Sequence, residues 1–247
     1  MLSTTYSATL SGVNALQVTV EANSGERGDP KCILVGLPDA SVKESMDRVF
    51  SSLSNTGYAK PRTRVTINLA PGDLRKEGAA FDLPIALSLL ASTGQMKNHM
   101  LEDYLIAGEL ALSGAIRHVR GGLAMAMLAK KIGKKGIILP KSSAMEACLI
   151  EGINVYSIEN LAQAVSFFEN DKIPEPLCRT NSPFLLEDVC EAKDDFSEVK
   201  GQQGLRRAVE IAVAGEHNLF MLSTSCLQIW QSKPLNNSYL KSLSIHQ

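Results

Sequence analysis

The chain has 247 residues, 45% of them hydrophobic and 21% charged, with a formal net charge of −1 at pH 7. That supplies a full core for one large or two smaller domains, without the overall basic excess of a dedicated nucleic-acid binder. No apolar run approaches the roughly 20 residues that span a bilayer, and the start MLSTTYSATLSG has neither the basic nor the apolar region of a signal peptide, so a cytoplasmic protein without a membrane partner is expected.

Residues 6 to 37 read as strands. LQVTVEA alternates apolar and polar positions, and CILVGLP is a short apolar run closed by Gly-Leu-Pro. A helix follows, with Ser41 and Glu44 in the spacing of a capping box. Val42, Met46, Val49, Phe50 and Leu53 share one face of it, and Gly57 stops it. RVTINLAP is the next strand. FDLPIALSLLASTG is a helix that tolerates Pro84 because the proline falls in the first turn. YLIAGELALSGAIRHV reads as a hairpin turning at Ser113-Gly114. GGLAMAMLAKKIG is an amphipathic helix and KGIILP a buried strand. SAMEACLIEG repeats the capping-box spacing with Ser143 and Glu146, and INVYSI and ENLAQAVSFFEN close the unit near Asn170.

Between 171 and 195 the composition shifts to Pro, Asp and Glu with little periodicity, as in a linker. SEVKGQQGLRRAVEIAVAG and HNLFML then supply one helix and one strand. The last 25 residues carry Ser, Asn, Gln and Lys with isolated leucines. The expected organisation is a domain over 1–170, a linker over 171–195, the start of a second domain over 196–222 and a disordered tail over 223–247. Cys32, Cys148, Cys178, Cys190 and Cys226 form no C-x-x-C pair and the four histidines are dispersed, so no metal site is expected.

Four strings in order, GLPDASVKES, INLAPGDLRKEGAAFDLPIAL, GELALSGAIRHVRGGL and DFSEVKGQQGLRRAVEIAVAGEHNLFM, carry a resemblance. From residue 3 to about 222 the chain resembles the N-terminal part of the YifB/ComM family, the magnesium-chelatase-like AAA+ ATPases. The resemblance implies an α/β (α+β) fold of the Lon-protease type, shared with a ribosomal small-subunit protein, followed by the start of a AAA+ P-loop domain. It implies ATP and Mg as cofactors of the intact family, self-association into a ring, and branched or single-stranded DNA as a partner in branch migration during natural transformation.

The resemblance stops where the family writes its phosphate loop. G-x-x-x-x-G-K-[ST] lets successive backbone N–H groups converge on phosphates, yet after Leu222 there is no glycine. The chain as written is therefore expected to hold no cofactor, and the sequence past Leu222 reads as a different reading frame or a cut gene. Val199, Lys200, Gly201 and Gln202 match the segment bordering adenine in AAA+ proteins, against the plainer reading of a helix start. KEGAAF and GGLAMA align with the Lon strings that carry its serine nucleophile and lysine base, and place Ala80 and Ala124 at those positions. Methyl groups supply neither role, so no catalytic residue is assigned.

Arg62, Arg64, Arg75, Lys76, Arg117 and Arg120, with His118, are the candidates for a surface following a DNA backbone. Arg62 and Arg64 are expected to point to one side of a strand edge. The alternative is a solvated rim or a contact between protomers, since no aromatic residues interleave. Lys130, Lys131, Lys134 and Lys135 read as a solvent face, and Glu77, Asp82 and Glu109 as caps and loop contacts rather than paired catalytic acids. Three functions stand open. They are the N-terminal part of a ComM-type motor, itself inert; an ATPase-subunit-like partner in magnesium chelation; and a free-standing binding module.

Overall fold

The computed structural model describes residues 1–26, 31–74, 76, 78–97, 100–169, 174–177 and 201–215, with His217 and Leu219. The chain divides into two compact units, Met1–Leu185 and Leu186–Gln247.

The first unit is built on a seven-stranded sheet in the order β3-β4-β2-β1-β5-β8-β9. Its strands are β1 (Leu2–Ser11), β2 (Asn14–Glu26), β3 (Cys32–Val35), β4 (Arg64–Ala70), β5 (Tyr104–Ile106), β8 (Gly136–Leu139) and β9 (Asn154–Ser157). A short hairpin, β6 (Glu109–Leu110) and β7 (Ile116–Arg117), stands apart from it. β1 and β2 pair antiparallel, as do β2 and β4, whereas β3–β4, β1–β5, β5–β8 and β8–β9 are parallel. Six strands thus run one way and β2 runs against them. The parallel strands are joined through helices, as parallel pairing requires: α1 (Ala40–Asn55), α2 (Asp82–Ser92), α3 (Gly122–Lys131) and α4 (Lys141–Ala147), with α5 (Leu161–Phe168) after β9. The result is the α/β class expected from the sequence.

Side chains alternate across the sheet and feed two cores. Ile138 of β8 packs with Leu83, Leu87, Leu90 and Phe167 on the face covered by α1, α2 and α5. Its neighbours Ile137 and Leu139 pack with Met125, Ala129, Ala144 and Ala147 on the face covered by α3 and α4. All four residues of β8 are buried, which is why GIIL is a continuous apolar run rather than an alternating one. α2 is buried along its whole length. Its Ser88 hydroxyl meets Thr5 Oγ1 of β1 at 2.8 Å, while the hydroxyls of Ser3 and Ser7 on the same strand have no hydrogen-bond partner.

Several local expectations are corrected. The cap of α1 is Asp39, whose Oδ1 accepts the Val42 N–H at 2.7 Å, and Ser41 lies inside the helix. The Asp39 N–H is held by the Lys76 carbonyl at 3.2 Å, so a long-range contact sets where the helix starts. Ser143 is likewise inside α4 rather than at its cap. Its Oγ donates to the Val119 carbonyl at 2.7 Å and accepts the Val119 N–H at 3.1 Å. The predicted hairpin arm beginning at Tyr104 is split, because Tyr104–Ile106 joins the main sheet and only Glu109–Leu110 pairs with Ile116–Arg117. Gly114 at the turn has φ +88°, as a glycine turn requires. Leu177, inside the expected linker, packs on the α3/α4 core and donates its N–H to the Val155 carbonyl at 2.8 Å.

In the second unit α6 (Gln203–Ala214) forms the helix expected there. The expected strand HNLFML and the tail past Leu222 lie outside the described residues, apart from His217 and Leu219.

Candidate functional site

The direction of the strands sorts the candidate residues. In a sheet of parallel strands, ligand-facing loops gather at the carboxyl ends. Here that end carries the loop after β4, the segment from Gly108 to Arg120 after β5 and the start of α4 after β8. Arg117 and Arg120 belong to this end and are exposed. Arg64 opens β4 at the opposite, amino end, with Arg62 two residues before it. A seven-residue strand at about 3.3 Å per residue separates the two ends by about 20 Å. β4 is also interior to the sheet, between β3 and β2, rather than at its edge. The sequence candidates therefore do not form one basic surface. Arg117 and Arg120 are neighbours, and Arg62 and Arg64 are a separate pair.

Lys76 is not at the surface. It is fully buried, and its Nζ donates to the carbonyl of Pro71. Burial pushes the Lys76 ammonium below its ordinary value, against the pull of Asp73. Arg75, the other basic candidate in that loop, lies outside the described residues.

The segment carrying Arg117 and Arg120 is tied down from two sides. His118 Nδ1 stands 3.0 Å from the hydroxyls of Ser142 and Ser143, and Val119 is gripped by Ser143. On the hairpin, Glu109 and Arg117 are directly opposite, with Oε1 and Nη1 3.5 Å apart. Below Glu109 lies a feature missed by sequence reading. Arg48 of α1 donates from Nε to Asp82 Oδ2 at 2.7 Å and from Nη2 to Oδ1 at 3.1 Å. Asp82, 0% exposed, also accepts the Leu110 N–H at 3.1 Å. One carboxylate thus joins α1, the first turn of α2 and the hairpin. Burial pushes the Asp82 carboxyl up, opposed by the hydrogen bonds from Arg48 and Ser45. Bonding to Asp82 raises Arg48 in turn, with smaller contributions from Glu109 and Glu44. The signal was present in sequence: Arg48 adjoins the buried stripe Val42, Ser45, Val49 and Ser52 of α1, where a long cation calls for a partner.

Ala80 and Ala124 stand at the carboxyl-end side too. Ala80 sits in the single 3₁₀ turn before α2, its carbonyl accepting the Gly108 N–H at 3.0 Å, and Ala124 lies in the first turn of α3. Neither brings a reactive atom. Glu77 lies outside the described residues, while Asp82 and Glu109 each engage an arginine. Burial pushes the half-buried Cys32 thiol up to about 11, away from thiolate chemistry. Among the described residues there is no group of His, Cys, Asp and Glu that could hold a metal ion, and no helix long and apolar enough to cross a membrane. An open depression of about 650 Å³, lined by Met127, Lys130, Lys131 and Glu151 among others, lies at the far end of α3 from Ala124 and touches none of the candidates.

In the second unit, Gly201 and Gln202 are exposed and left-handed, with φ +77° and +50°, and Gln202 precedes α6 without a side-chain cap. Val199 and Lys200 lie outside the described residues. Gly201 and Gln202 bring no buried donor to a phosphate, so these two residues do not by themselves fit ATP or Mg.

Residues 20–143 match the family described as subunit ChlI of Mg-chelatase, and residues 195–226 match magnesium chelatase, subunit ChlI. The uncharacterized protein YifB of Escherichia coli (strain K12) is 40% identical over 222 residues, which are 90% of this chain and 42% of that protein. Competence protein ComM of Haemophilus influenzae is 39% identical over 229 residues, covering 90% of this chain and 43% of that protein. DNA repair protein RadA of Aquifex aeolicus is 35% identical over 101 residues, 41% of this chain and 21% of that protein. The fold and these matches define an α/β protein of the magnesium-chelatase ChlI class. Within that class the chain belongs to the YifB/ComM family of AAA+ proteins. It spans less than half the length of the curated relatives it matches.

Proposed function

We propose that this chain is the N-terminal, DNA-engaging part of a ComM-type AAA+ motor, with a Lon-like first domain that has lost peptidase chemistry. The observation carrying this reading is the 39% identity to Competence protein ComM across 90% of the chain. The name of the RadA relative agrees with work on DNA. In the intact protein, ATP with Mg would drive a ring of such chains along branched DNA. The part played by this region is contact and assembly rather than hydrolysis. The contact surface is the carboxyl-end segment with Arg117 and Arg120; Arg62 and Arg64, about a strand length away, serve a second contact or a neighbouring protomer.

Fluorescence anisotropy with a labelled four-way junction tests this directly. The 247-residue chain should bind with the salt-dependent affinity typical of backbone contacts, on the order of 10⁻⁴–10⁻⁶ M. Arg117→Ala with Arg120→Ala should weaken it several-fold. Undetectable binding at low salt, or full affinity in the double variant, refutes the assignment of this surface.

A further inference from the structure

We propose that Glu109 is a built-in rival of the DNA phosphate for Arg117, so that the basic segment is held partly neutralised until DNA arrives. This rests on the reading of the carboxyl-end segment as a DNA contact. Glu109 and Arg117 face each other across the β6–β7 ladder, and the carboxylate lies 3.5 Å from the guanidinium. Their side chains are 30% and 67% exposed, so the pair sits in solvent-accessible space where an incoming anion can reach it. The contact is longer than a close ion pair, and an exposed pair of this kind is weak. The two non-bridging oxygens of a backbone phosphate offer the same guanidinium a charge-assisted, two-pronged acceptor. Exchange of Glu109 for phosphate is therefore favourable, while the resting pair lowers the charge offered to other anions.

The hairpin is built for such an exchange. Its backbone does not depend on the Glu109–Arg117 contact, because Leu110 is anchored to Asp82 at 3.1 Å and Ile116 donates to the Glu159 carbonyl at 2.8 Å. The charge on Glu109 also bears on Arg48. Arg48 is already occupied by Asp82 and stays in place when Arg117 swings away. Asp82 and Arg48 hold the hairpin; Glu109 sets how freely its arginine can leave.

The test is a four-variant cycle on the full chain, measured by anisotropy with the same labelled junction: wild type, Glu109→Gln, Arg117→Ala and both together. Glu109→Gln should bind about two- to five-fold tighter, the range expected when a weak surface pair no longer has to be broken. In the Arg117→Ala background the same change should have no effect. A gain that persists without Arg117 is a general charge effect and overturns the inference, as does a Glu109→Gln affinity equal to or below wild type. If the wild type binds and Arg117→Ala weakens it while Glu109→Gln changes nothing, this inference fails and the DNA reading stands. If none of the four binds, both fall. Glu109→Asp, which shortens the reach to Arg117, should give a smaller gain in the same direction. It replaces the glutamine variant if that one melts early.

Discussion

Replacing Arg48 by methionine keeps an unbranched side chain on α1 and removes the cation facing Asp82, which is 0% exposed. Breaking a buried pair by deleting one partner generally costs 3–5 kcal/mol, because the remaining charge is left without compensation. Arg48 is itself 22% exposed, so water relieves part of this, and about 3 kcal/mol is expected at pH 7.5. For a unit of this size that lowers the melting temperature by about 6–12 °C. The loss should also depend on pH. Without Arg48, burial is left to raise the Asp82 carboxyl further above its unfolded value. The folded variant then binds a proton more readily than the unfolded chain, so its stability is greatest below the unfolded pKa and falls as pH rises through the folded one. Urea unfolding of wild type and variant between pH 4.5 and 8 should show the gap widening with pH. A gap under 1 kcal/mol at pH 7.5, or one that does not change with pH, would mean that the pair carries no such role.

Gly36, at φ +100°, approaches Leu69 so closely that an added Cβ would lie 2.1 Å from its carbonyl oxygen. Gly36→Ala should cost roughly 3 kcal/mol or more, visible as a lowered melting temperature or loss of soluble protein. Ser7→Ala removes a buried hydroxyl without a partner, and should be neutral or stabilising by up to about 1 kcal/mol in urea unfolding. Ala80→Ser supplies a nucleophile without a base, so cleavage of casein or a fluorogenic peptide should remain absent; turnover by that variant would overturn the alignment with the Lon strings.

Much of the layered fold was legible because it rests on local periodicity. The apolar stripe of α1, the buried run of β8 and the first-turn position of Pro84 each appear in the structure where the sequence placed them. What escaped depends on contacts between distant residues. Asp39 rather than Ser41 caps α1 because its N–H meets Lys76, and Ser143 left the cap of α4 to hold Val119, 24 positions away. Lys76 read as a surface cation because nothing in its neighbourhood announces burial. The basic candidates were grouped by charge alone; only the strand directions divide Arg62 and Arg64 from Arg117 and Arg120. Arg48 and Asp82, 34 positions apart, needed the packing of α1 on α2 to be seen as a pair.

The position of β1 has a consequence for how the chain reaches this state. β1 lies at the centre of the sheet, and its Tyr6 pairs with Leu105, nearly a hundred residues later. As β1 and β2 emerge during synthesis, β1 can close only its hairpin with β2. The neighbour on its other side does not yet exist, and two strands alone are marginal in water. Closing so long a loop before it is rewarded slows folding, as in other topologies dominated by distant contacts. Refolding should therefore take milliseconds to seconds, with amides of β1 and β5 gaining protection together in pulse-labelled hydrogen exchange. Until residues past β5 are made, β1 presents an unpaired strand edge, and the nascent protein is most exposed to wrong pairing during that interval.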